Sequence, residues 1–409
     1  MTAGTAAVYV FLFLALYFEV FLLISFFERR PSDKSSARPK RYPTVSVIVP
    51  CWNEEDTLEA TVHSLLALDY PKEKLSIIVV DDGSTDGTLG VANRFAGHPQ
   101  VRVLSKENGG KYTALNFGIE RSESELVGCL DADSLVAPDA LAEVVKKFEE
   151  DPSTMAVVPA MKVNSPRSLL ELMQAVEYTL GIFFKKIFDN LSAISVLPGP
   201  FSLYRRDMFA IVGPFRHAHN TEDMEMAFRM HAHGLSIQNA HTAIVYTNVP
   251  RTLAGLIKQR TRWSQGFLLN SRDYQHMYFN SRFGNFGLLV LPFGLAMFVG
   301  AMYMFCYILF NIVSTVANRL LTLWLVKVPL QAPSIHLDWF YINTSVLMFL
   351  AVVTLAMTLA AVLMGRRMAG ADFGAGSLVS YFTIYGFIAP LWLARAAWGA
   401  LRSKESAWR

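Results

Sequence analysis

The chain has 409 residues, of which 52% are hydrophobic and only 17% are charged, with a formal net charge of +3 at pH 7. Soluble proteins average about 25% charged residues, and here the first thirty residues and those beyond about 287 are apolar, which predicts a soluble domain between membrane segments. The mild charge without a basic stripe argues against a nucleic-acid partner. Three scattered cysteines, Cys51, Cys129 and Cys306, argue against a disulfide framework or a structural zinc site.

The first apolar segment, "AAVYVFLFLALYFEVFLLISFF" at residues 6–27, is long enough to span a bilayer. We expect its single carboxylate, Glu19, to face protein or to be protonated. No small-residue cleavage site follows, so we assign residues 1–30 to an anchor and not to a removed signal peptide. The basic linker at residues 31–43 then predicts, by the positive-inside rule, that the next domain is cytoplasmic.

Residues 44–250 alternate between strand and helix patterns. Four β-branched runs, "TVSVIVP", "LSIIVVDD", "VRVLSK" and "LVGCLDAD", are separated by helical segments. Such alternation predicts a parallel sheet that is covered by helices on both faces.

Polar residues follow all four of these strands. Ligands bind beyond the carboxyl ends of strands in such sheets, and helix caps explain one polar end better than four. The residues concerned are Asn53 and Glu54, Asp81 and Asp82, Asn108 to Lys111, and Asp131 and Asp133.

The "DAD" sequence places Asp131 and Asp133 two residues apart at a strand end. Two carboxylates together with substrate phosphates are a typical Mg²⁺ site, although a capped turn is an equal alternative for this motif by itself. No Walker-type loop and no dinucleotide glycine spacing is found, which argues against an ATPase and a Rossmann oxidoreductase.

Glu222 and Asp223 follow a polar turn in "NTEDMEMAFRM". In one interpretation Thr221 caps the next helix, and an acid lies near its positively polarised start. In the other, a carboxylate acts as a general base on an acceptor hydroxyl. Capping explains one acid better than two adjacent ones.

The segment from Arg167 to Phe188 has apolar residues at helical spacing. It can be a core helix, but Lys185 and Lys186 at its polar edge favour a helix in the membrane interface.

The stretch "KQRTRWSQG" lies in residues 251–286, which we interpret as an interfacial helical region. Gln259, Arg262 and Trp263 are spaced to share one helical face. Arg260 is expected to point elsewhere, toward solvent or lipid phosphate.

Residues 287–401 predict about three more spans, at about 287–313, 342–365 and 377–401, followed by a tail at 402–409. Residues 314–341 are interpreted as a re-entrant or interfacial piece. Arg366 and Arg367 then lie inside and the basic tail outside, against the positive-inside rule. A further span near Leu320 would remove this conflict.

The motifs "VSVIVPCWNE", "VVDDGSTDGT", "ENGGKYTALN", "DAD", "GPFSLYRR", "TED" and "QRTRW" occur in this order between residues 44 and 270. In this the chain resembles membrane-bound family 2 glycosyltransferases, such as the cellulose, hyaluronan, poly-N-acetylglucosamine and chitin-oligosaccharide synthases. The resemblance implies an α/β GT-A catalytic domain with a mostly parallel sheet, joined to transmembrane and interfacial helices. It also implies a nucleotide-sugar donor, Mg²⁺ or Mn²⁺, and inversion at the anomeric carbon.

The resemblance also implies roles for individual residues, by position in these motifs. Pro50, Glu54 and Asp82 would line the nucleotide pocket, with Asp82 reading the base, and Lys111 would contact the phosphates or sugar of the donor. Asp131 would lie near the ribose and sugar, Asp133 would bind the metal, and Asp223 would be the general base, with Glu222 remaining open as a carboxylate nucleophile. Gln259, Arg262 and Trp263 would hold the diphosphate and the acceptor end, and Gly199 and Pro200 would border the acceptor.

The expected function is therefore a hexosyl transfer from a UDP-sugar, with UDP-N-acetylglucosamine favoured, to a growing polysaccharide or a lipid-linked glycan. The alternative is a non-processive mannosyl- or glucosyltransferase, using GDP-mannose or UDP-glucose in glycolipid or N-glycan precursor synthesis. We expect a multi-pass plasma-membrane protein, and the low span count leaves room for an accessory subunit. A transporter with a regulatory middle domain, or an inactive binding module, fits the sequence less well.

Overall fold

The computed structural model describes residues 3–27, 38–326, 346–371 and 373–402. The described residues fall into two compact units. One unit comprises those within 1–24 and 293–361, and the other comprises those within 25–292 and 362–409.

The second unit contains a mixed, mostly parallel sheet of eight strands in the order β3-β2-β1-β4-β7-β6-β8-β5. The four predicted strands form its parallel half, β3-β2-β1-β4, and they are buried as near-continuous β-branched runs because helices cover both faces. In the other half, β7 is antiparallel to both of its neighbours, β6 and β8 are parallel, and β5 is antiparallel to β8. The strands are β1 Val45–Cys51, β2 Leu75–Asp82, β3 Val101–Lys106, β4 Leu126–Cys129, β5 Ser134–Val136, β6 Thr154–Val163, β7 Leu203–Arg205 and β8 Ser236–Thr247.

Helices fill the connections between these strands and carry the chain to the apolar segments. Within the part of the chain that the structure describes, they are α1 Ala3–Phe27, α2 Leu58–Leu66, α3 Thr88–Asn93, α4 Lys111–Glu120, α5 Ala140–Glu150, α6 Leu169–Asn190, α7 Met208–Val212, α8 Glu222–Ala232, α9 Leu253–Asp273, α10 Leu291–Val326, α11 Val346–Ala369, α12 Ala375–Ser380 and α13 Gly386–Leu401.

Helix α6 begins with a capping box, in which Ser168 and Glu171 satisfy each other's backbone N–H groups. Its apolar side packs on the sheet, where Ile182 is buried with Ala160 of β6. The interpretation of Lys185 and Lys186 as an edge facing lipid headgroups is wrong. Lys186 is buried inside the unit, and Lys185 lies along an interior cavity. This side of α6 therefore packs inside the second unit, and the place of the helix in the membrane interface stays a prediction.

Among the described residues, four helical segments are long and apolar enough to cross a membrane: Gly4–Phe27, Phe286–Val326, Val346–Ala369 and Ala375–Leu401. The second of them is longer than predicted, because the helix continues through the polar residues Asn318 and Arg319 to the apolar run that ends at Val326. The expected end near Val313 and a separate span near Leu320 are both wrong. The remainder of the ambiguous region, with Asp338, lies outside the described residues.

The first unit is formed by α1, α10 and α11. Glu19, the carboxylate of α1, accepts a 2.6 Å hydrogen bond from the hydroxyl of Thr358 in α11. The prediction that Glu19 faces protein is therefore confirmed.

Candidate active site

A cavity of about 760 Å³ lies at the carboxyl ends of β1 and β4, where α6, α8 and α9 close over it. The topology explains its position, since the ends of parallel strands share one edge of the sheet. All but one of the site residues predicted from the sequence line this cavity: Pro50, Glu54, Lys111, Asp131, Asp133, Gly199, Pro200, Glu222, Asp223, Gln259, Arg262 and Trp263.

Asp82 is the exception. Its carboxylate is buried, bonds to Lys106 Nζ at 2.6 Å, and accepts the backbone N–H groups of Gly110 at 2.8 Å and Gly109 at 3.2 Å. Gly110 has φ +90°, a conformation that favours glycine. In this geometry Asp82 fixes the loop that starts α4 and so places the next residue, Lys111.

Lys111 joins the two acidic motifs of the cavity. Its Nζ lies 2.5 Å from Asp131 Oδ1 and 3.7 Å from Glu222 Oε1. Burial by itself would lower the pKa of Lys111, but the two carboxylates raise it above its ordinary value, so the side chain stays charged. A Cβ atom at Gly199 would come within 2.5 Å of Lys111 Nζ and 2.7 Å of Asp131 Oδ1, so only glycine permits this approach.

Asp223 lies in the first turn of α8 with its side chain on the cavity. Burial is the main cause that raises its pKa to about 6, and the neighbouring charge of Glu222 adds to this, while Lys111 and Arg262 act in the opposite direction. A carboxylate with a pKa of about 6 is ionised at neutral pH and is a better proton acceptor than an ordinary aspartate.

Thr221 occupies the N-cap position of α8, but its side chain makes no capping hydrogen bond, so the interpretation of Thr221 as a side-chain cap is wrong. Its hydroxyl donates to the carbonyl of Ala218 at 3.0 Å and accepts from Asn270 Nδ2 of α9 at 2.9 Å. The preceding residues, Ala218 to Asn220, all have positive φ. This strained turn and the contact with α9 together set the position from which the Glu222–Asp223 pair begins.

Helix α9 presents Gln259, Arg262 and Trp263 to the cavity, so the predicted shared face is confirmed. The expectation for Arg260 is wrong, because its side chain is 4% exposed and bonds both carboxylate oxygens of Glu177 in α6, at 2.6 and 3.2 Å. Glu177 also accepts a 2.5 Å hydrogen bond from Tyr385.

The donor set fits a divalent cation only in part. Among the described residues, no group of three or more His, Cys, Asp or Glu side chains converges as a metal site would require. Asp133 lines the cavity, while Asp131 is engaged by Lys111. Because Mg²⁺ and Mn²⁺ accept one or two carboxylates when phosphates supply the remaining ligands, Asp133 suits a cation that arrives with a diphosphate.

Sequence reasoning missed several residues that line the cavity, above all Lys185, Glu177 and Trp52. Burial lowers the pKa of Lys185 to about 8, and the nearby charge of Asp223 opposes that shift. The signal in the sequence is two adjacent lysines in an otherwise apolar helix, which we interpreted as a surface feature.

The fold and this site define the class of the protein. Residues 46–212 match the model of the Glycosyl transferase family 2. The chain therefore contains a glycosyltransferase family 2 domain, with a GT-A fold of mixed, mostly parallel sheet.

Particular relatives agree with that class. The chain is similar to the poly-beta-1,6-N-acetyl-D-glucosamine synthases of Staphylococcus epidermidis, with 31% identity over 261 residues, and of Staphylococcus aureus, with 32% over 260 residues. Each match covers 62% of this chain and 63% of the relative, so it spans less than two thirds of these proteins. A solved structure, the mannosyltransferase PcManGT from Pyrobaculum calidifontis in complex with GDP-Man and Mn²⁺, superposes over 98% of both chains with a TM-score of 0.63 and 22% identity, a likeness of fold.

Proposed function

We propose that the protein is a membrane-integral, inverting glycosyltransferase that moves a sugar from a nucleotide-diphosphate donor to a carbohydrate or lipid-linked acceptor. One observation carries the proposal. Asp223, with a pKa raised to about 6, shares one cavity with the cations Lys111 and Arg262 and with the carboxylate Asp133. A proton acceptor and a diphosphate-binding group thus face the same space.

The transfer is a single displacement. The acceptor hydroxyl oxygen forms a bond to the anomeric carbon of the donor, its proton passes to Asp223, and the bond from that carbon to the diphosphate breaks. Lys111 and Arg262 offset the negative charge that develops on the departing diphosphate. A divalent cation held by Asp133 would supply further charge neutralisation when bound.

Glu222 is less suited to act as a second nucleophile. It is 7% exposed and lies 3.7 Å from the ammonium group of Lys111. Its charge is one of the causes that raise the pKa of Asp223. We therefore assign Glu222 an electrostatic role beside the base, which supports one displacement and inversion.

The donor we propose is UDP-N-acetylglucosamine, and the acceptor is a growing polysaccharide. Similarity to the staphylococcal poly-N-acetylglucosamine synthases supports both assignments. Trp263 on the cavity wall offers an aromatic face against which a sugar ring can stack. Four apolar helices among the described residues, together with the basic linker, support a plasma-membrane location. The unit that contains the sheet and the cavity, which we call the catalytic unit, would then lie on the cytoplasmic side.

The test is a donor screen on purified membranes, with UDP-N-acetylglucosamine, UDP-glucose and GDP-mannose, followed by sizing of the product. We expect transfer from UDP-N-acetylglucosamine and a ladder of lengths. One added sugar from GDP-mannose or UDP-glucose would support the non-processive alternative.

The proposed base is tested by substitution. Asp223→Asn should lower transfer about 100- to 10,000-fold, and Glu222→Gln should lower it less. Equal transfer by wild type and Asp223→Asn would refute the proposed base.

A further inference from the structure

The apolar segment at residues 375–401 differs from the other three in its surroundings. It belongs to the same compact unit as the sheet and the cavity. It consists of α12, a π-helical turn at Tyr381–Tyr385, and α13. Length and composition allow this segment to cross a membrane. Its contacts with α6 and α9 argue against a crossing.

One side of the segment is packed along the catalytic unit. Tyr385 and Trp392 form an apolar cluster with Leu256 and Ile257 of α9 and with Met173 of α6. Toward the other end, Gly399 lies so close to α9 that a Cβ atom there would come within 2.8 Å of Gln265 Oε1. The helix between Tyr385 and Gly399 is ~21 Å long at about 1.5 Å per residue.

Helix α9 is unsuited to the hydrocarbon layer. In 21 residues it carries five charged side chains: Lys258, Arg260, Arg262, Arg272 and Asp273. Charged side chains at the bilayer centre are costly, and five residues of α9, Lys258 and Arg262 among them, line the cavity. Helix α13 follows α9 over most of its own length and therefore lies at the depth of α9, so the segment that contains it cannot also cross a core ~30 Å thick.

The opposite side of the segment is exposed and apolar. Phe387, Leu391, Trp398 and Leu401 recur at helical spacing, and Phe387 and Leu401 are 71% and 82% exposed. Arg395 and Arg402 flank this stripe, and the Arg402 guanidinium lies 4.1 Å from the Trp398 ring centroid. Apolar residues bordered by Trp and Arg are typical of a helix in the membrane–water interface.

The distribution of basic residues also argues against a crossing by residues 375–401. If residues 375–401 cross, Arg366 and Arg367 lie on one side of the membrane, and Arg402, Lys404 and Arg409 lie on the other. If they do not cross, both groups lie on the side of the basic linker that precedes the sheet, as the positive-inside rule favours.

We infer that residues 375–401 do not cross the bilayer, but lie in its interface with the Phe387–Leu391–Trp398 side in the lipid. Of the four apolar segments among the described residues, three then cross, and the chain leaves α13 on the same side as the catalytic unit. This inference does not depend on the proposed function, since it rests on packing and charge.

The test is the sidedness of single thiols in sealed membrane vesicles. In a C306S background, in which the remaining native cysteines are buried, the variants are S406C after the segment, G97C in the catalytic unit and T2C before the first span. Gly97 has nothing within 4 Å of an added Cβ atom, so the marker there should be harmless. A membrane-impermeant maleimide should label S406C and G97C from the same side and T2C from the opposite side. Labelling of S406C together with T2C would overturn the inference.

A depth measurement provides an independent check that needs no activity. Nitroxides at F387C, L391C and W398C should report similar, shallow depths in the bilayer. A crossing helix would instead show a steady change in depth between positions 387 and 398, up to ~16 Å at about 1.5 Å per residue, and that result would also overturn the inference.

Discussion

The guanidinium of Arg260 lies over the indole ring of Trp263, with 4.2 Å between its central carbon and the ring centroid. The same guanidinium binds Glu177, and its Nη1 bonds Gln259 Oε1 at 2.6 Å. Arg260 thus contacts two of the three predicted site residues of α9, Gln259 and Trp263. It supports the wall of the site from behind and does not line it.

We predict that Arg260 and Tyr385 position Trp263 for the acceptor. Arg260→Lys removes the two-pronged bond and the stacked plane, and should lower kcat/KM for the acceptor about 5- to 100-fold, as expected for ~1–3 kcal/mol. Tyr385→Phe, which removes one hydrogen bond to Glu177, should give a smaller loss in the same direction. Steady-state kinetics with varied acceptor measure the effect on acceptor use, and calorimetric titration with UDP measures the effect on nucleotide binding separately.

The matched control is Arg251→Lys. Arg251 also bonds a glutamate of α6, Glu171 at 3.2 Å, but its side chain is 83% exposed. We expect no change in kcat/KM for Arg251→Lys, because exposed ion pairs contribute little free energy. If Arg260→Lys weakened UDP binding as much as acceptor use, the assignment to Trp263 would be wrong.

Gly266 should be essential for the placement of the catalytic acids. An added Cβ atom would overlap the side chain of Thr221, whose backbone leads directly into Glu222 and Asp223. Gly266→Ala should therefore lower kcat at least tenfold while the protein still inserts and binds UDP. Gly90→Ala is the control, since that exposed glycine in α3 has nothing within 4 Å of an added Cβ atom. There we expect full activity and a slightly higher Tm. Equal activity of the two variants would contradict the proposed contact.

Much of this site was predictable from the sequence, because polar residues after β-branched strands must gather at one edge of a parallel sheet. Helical spacing also placed Gln259, Arg262 and Trp263 on one face. Helical spacing predicts which residues share one face of a helix, but it does not predict the tertiary contacts of the residues on its other faces. The partners of Arg260 are distant in sequence, Glu177 by 83 residues, and Tyr385 is a further 208 residues from Glu177.

The antiparallel strand β7 was not predicted for a similar reason. Strand β7 has only three residues, and it pairs with β4 and β6 through contacts far apart in the chain. Such short runs have too little periodicity to be recognised. The capping interpretation of Thr221 failed because its hydroxyl instead bonds the carbonyl of Ala218 and a tertiary partner, Asn270.

The pH dependence of transfer should follow Asp223. The base must be ionised to accept a proton, so kcat/KM should fall about tenfold per pH unit below about pH 6. Asp223→Asn should remove this dependence along with most of the rate. A wild-type profile that stays flat down to pH 4.5 would exclude Asp223 as the base.

The contribution of Asp223 to folding stability should depend on pH in the opposite sense to its contribution to transfer. The pKa of Asp223 is about 6 in the folded protein against 3.8 for the ordinary group, so the folded protein binds the proton more tightly. The contribution of this group to stability is then greatest below about pH 4 and falls as the pH rises to about 6. Asp223→Asn should therefore raise Tm at pH 8 and leave it nearly unchanged at pH 4. A lower Tm at pH 8 would contradict the burial of this charge.

The charge of Lys185 should lower the pKa of the proposed base, Asp223. Its charge opposes protonation of Asp223, since each group favours the ionised form of the other. Lys185→Met should move the acidic limb of the kcat/KM profile to higher pH. Lys74→Met, at an exposed lysine before β2, should leave the profile unchanged. A lower rate without a shift in the limb would indicate a purely structural role for Lys185.

Metal binding should require the nucleotide. Asp133 lines the cavity, Asp131 is held by Lys111, and the described residues provide no three-ligand cluster. A single carboxylate binds Mn²⁺ weakly, whereas phosphate oxygens can complete the coordination. In titrations followed by electron paramagnetic resonance, the protein and UDP together should therefore bind Mn²⁺ at least tenfold more tightly than either component by itself. Asp133→Asn should abolish this gain, and Asp139→Asn, an exposed aspartate before α5, should keep it. Tight Mn²⁺ binding to the protein without UDP would show that the chain supplies a complete set of ligands, and would refute the division of roles between Asp131 and Asp133.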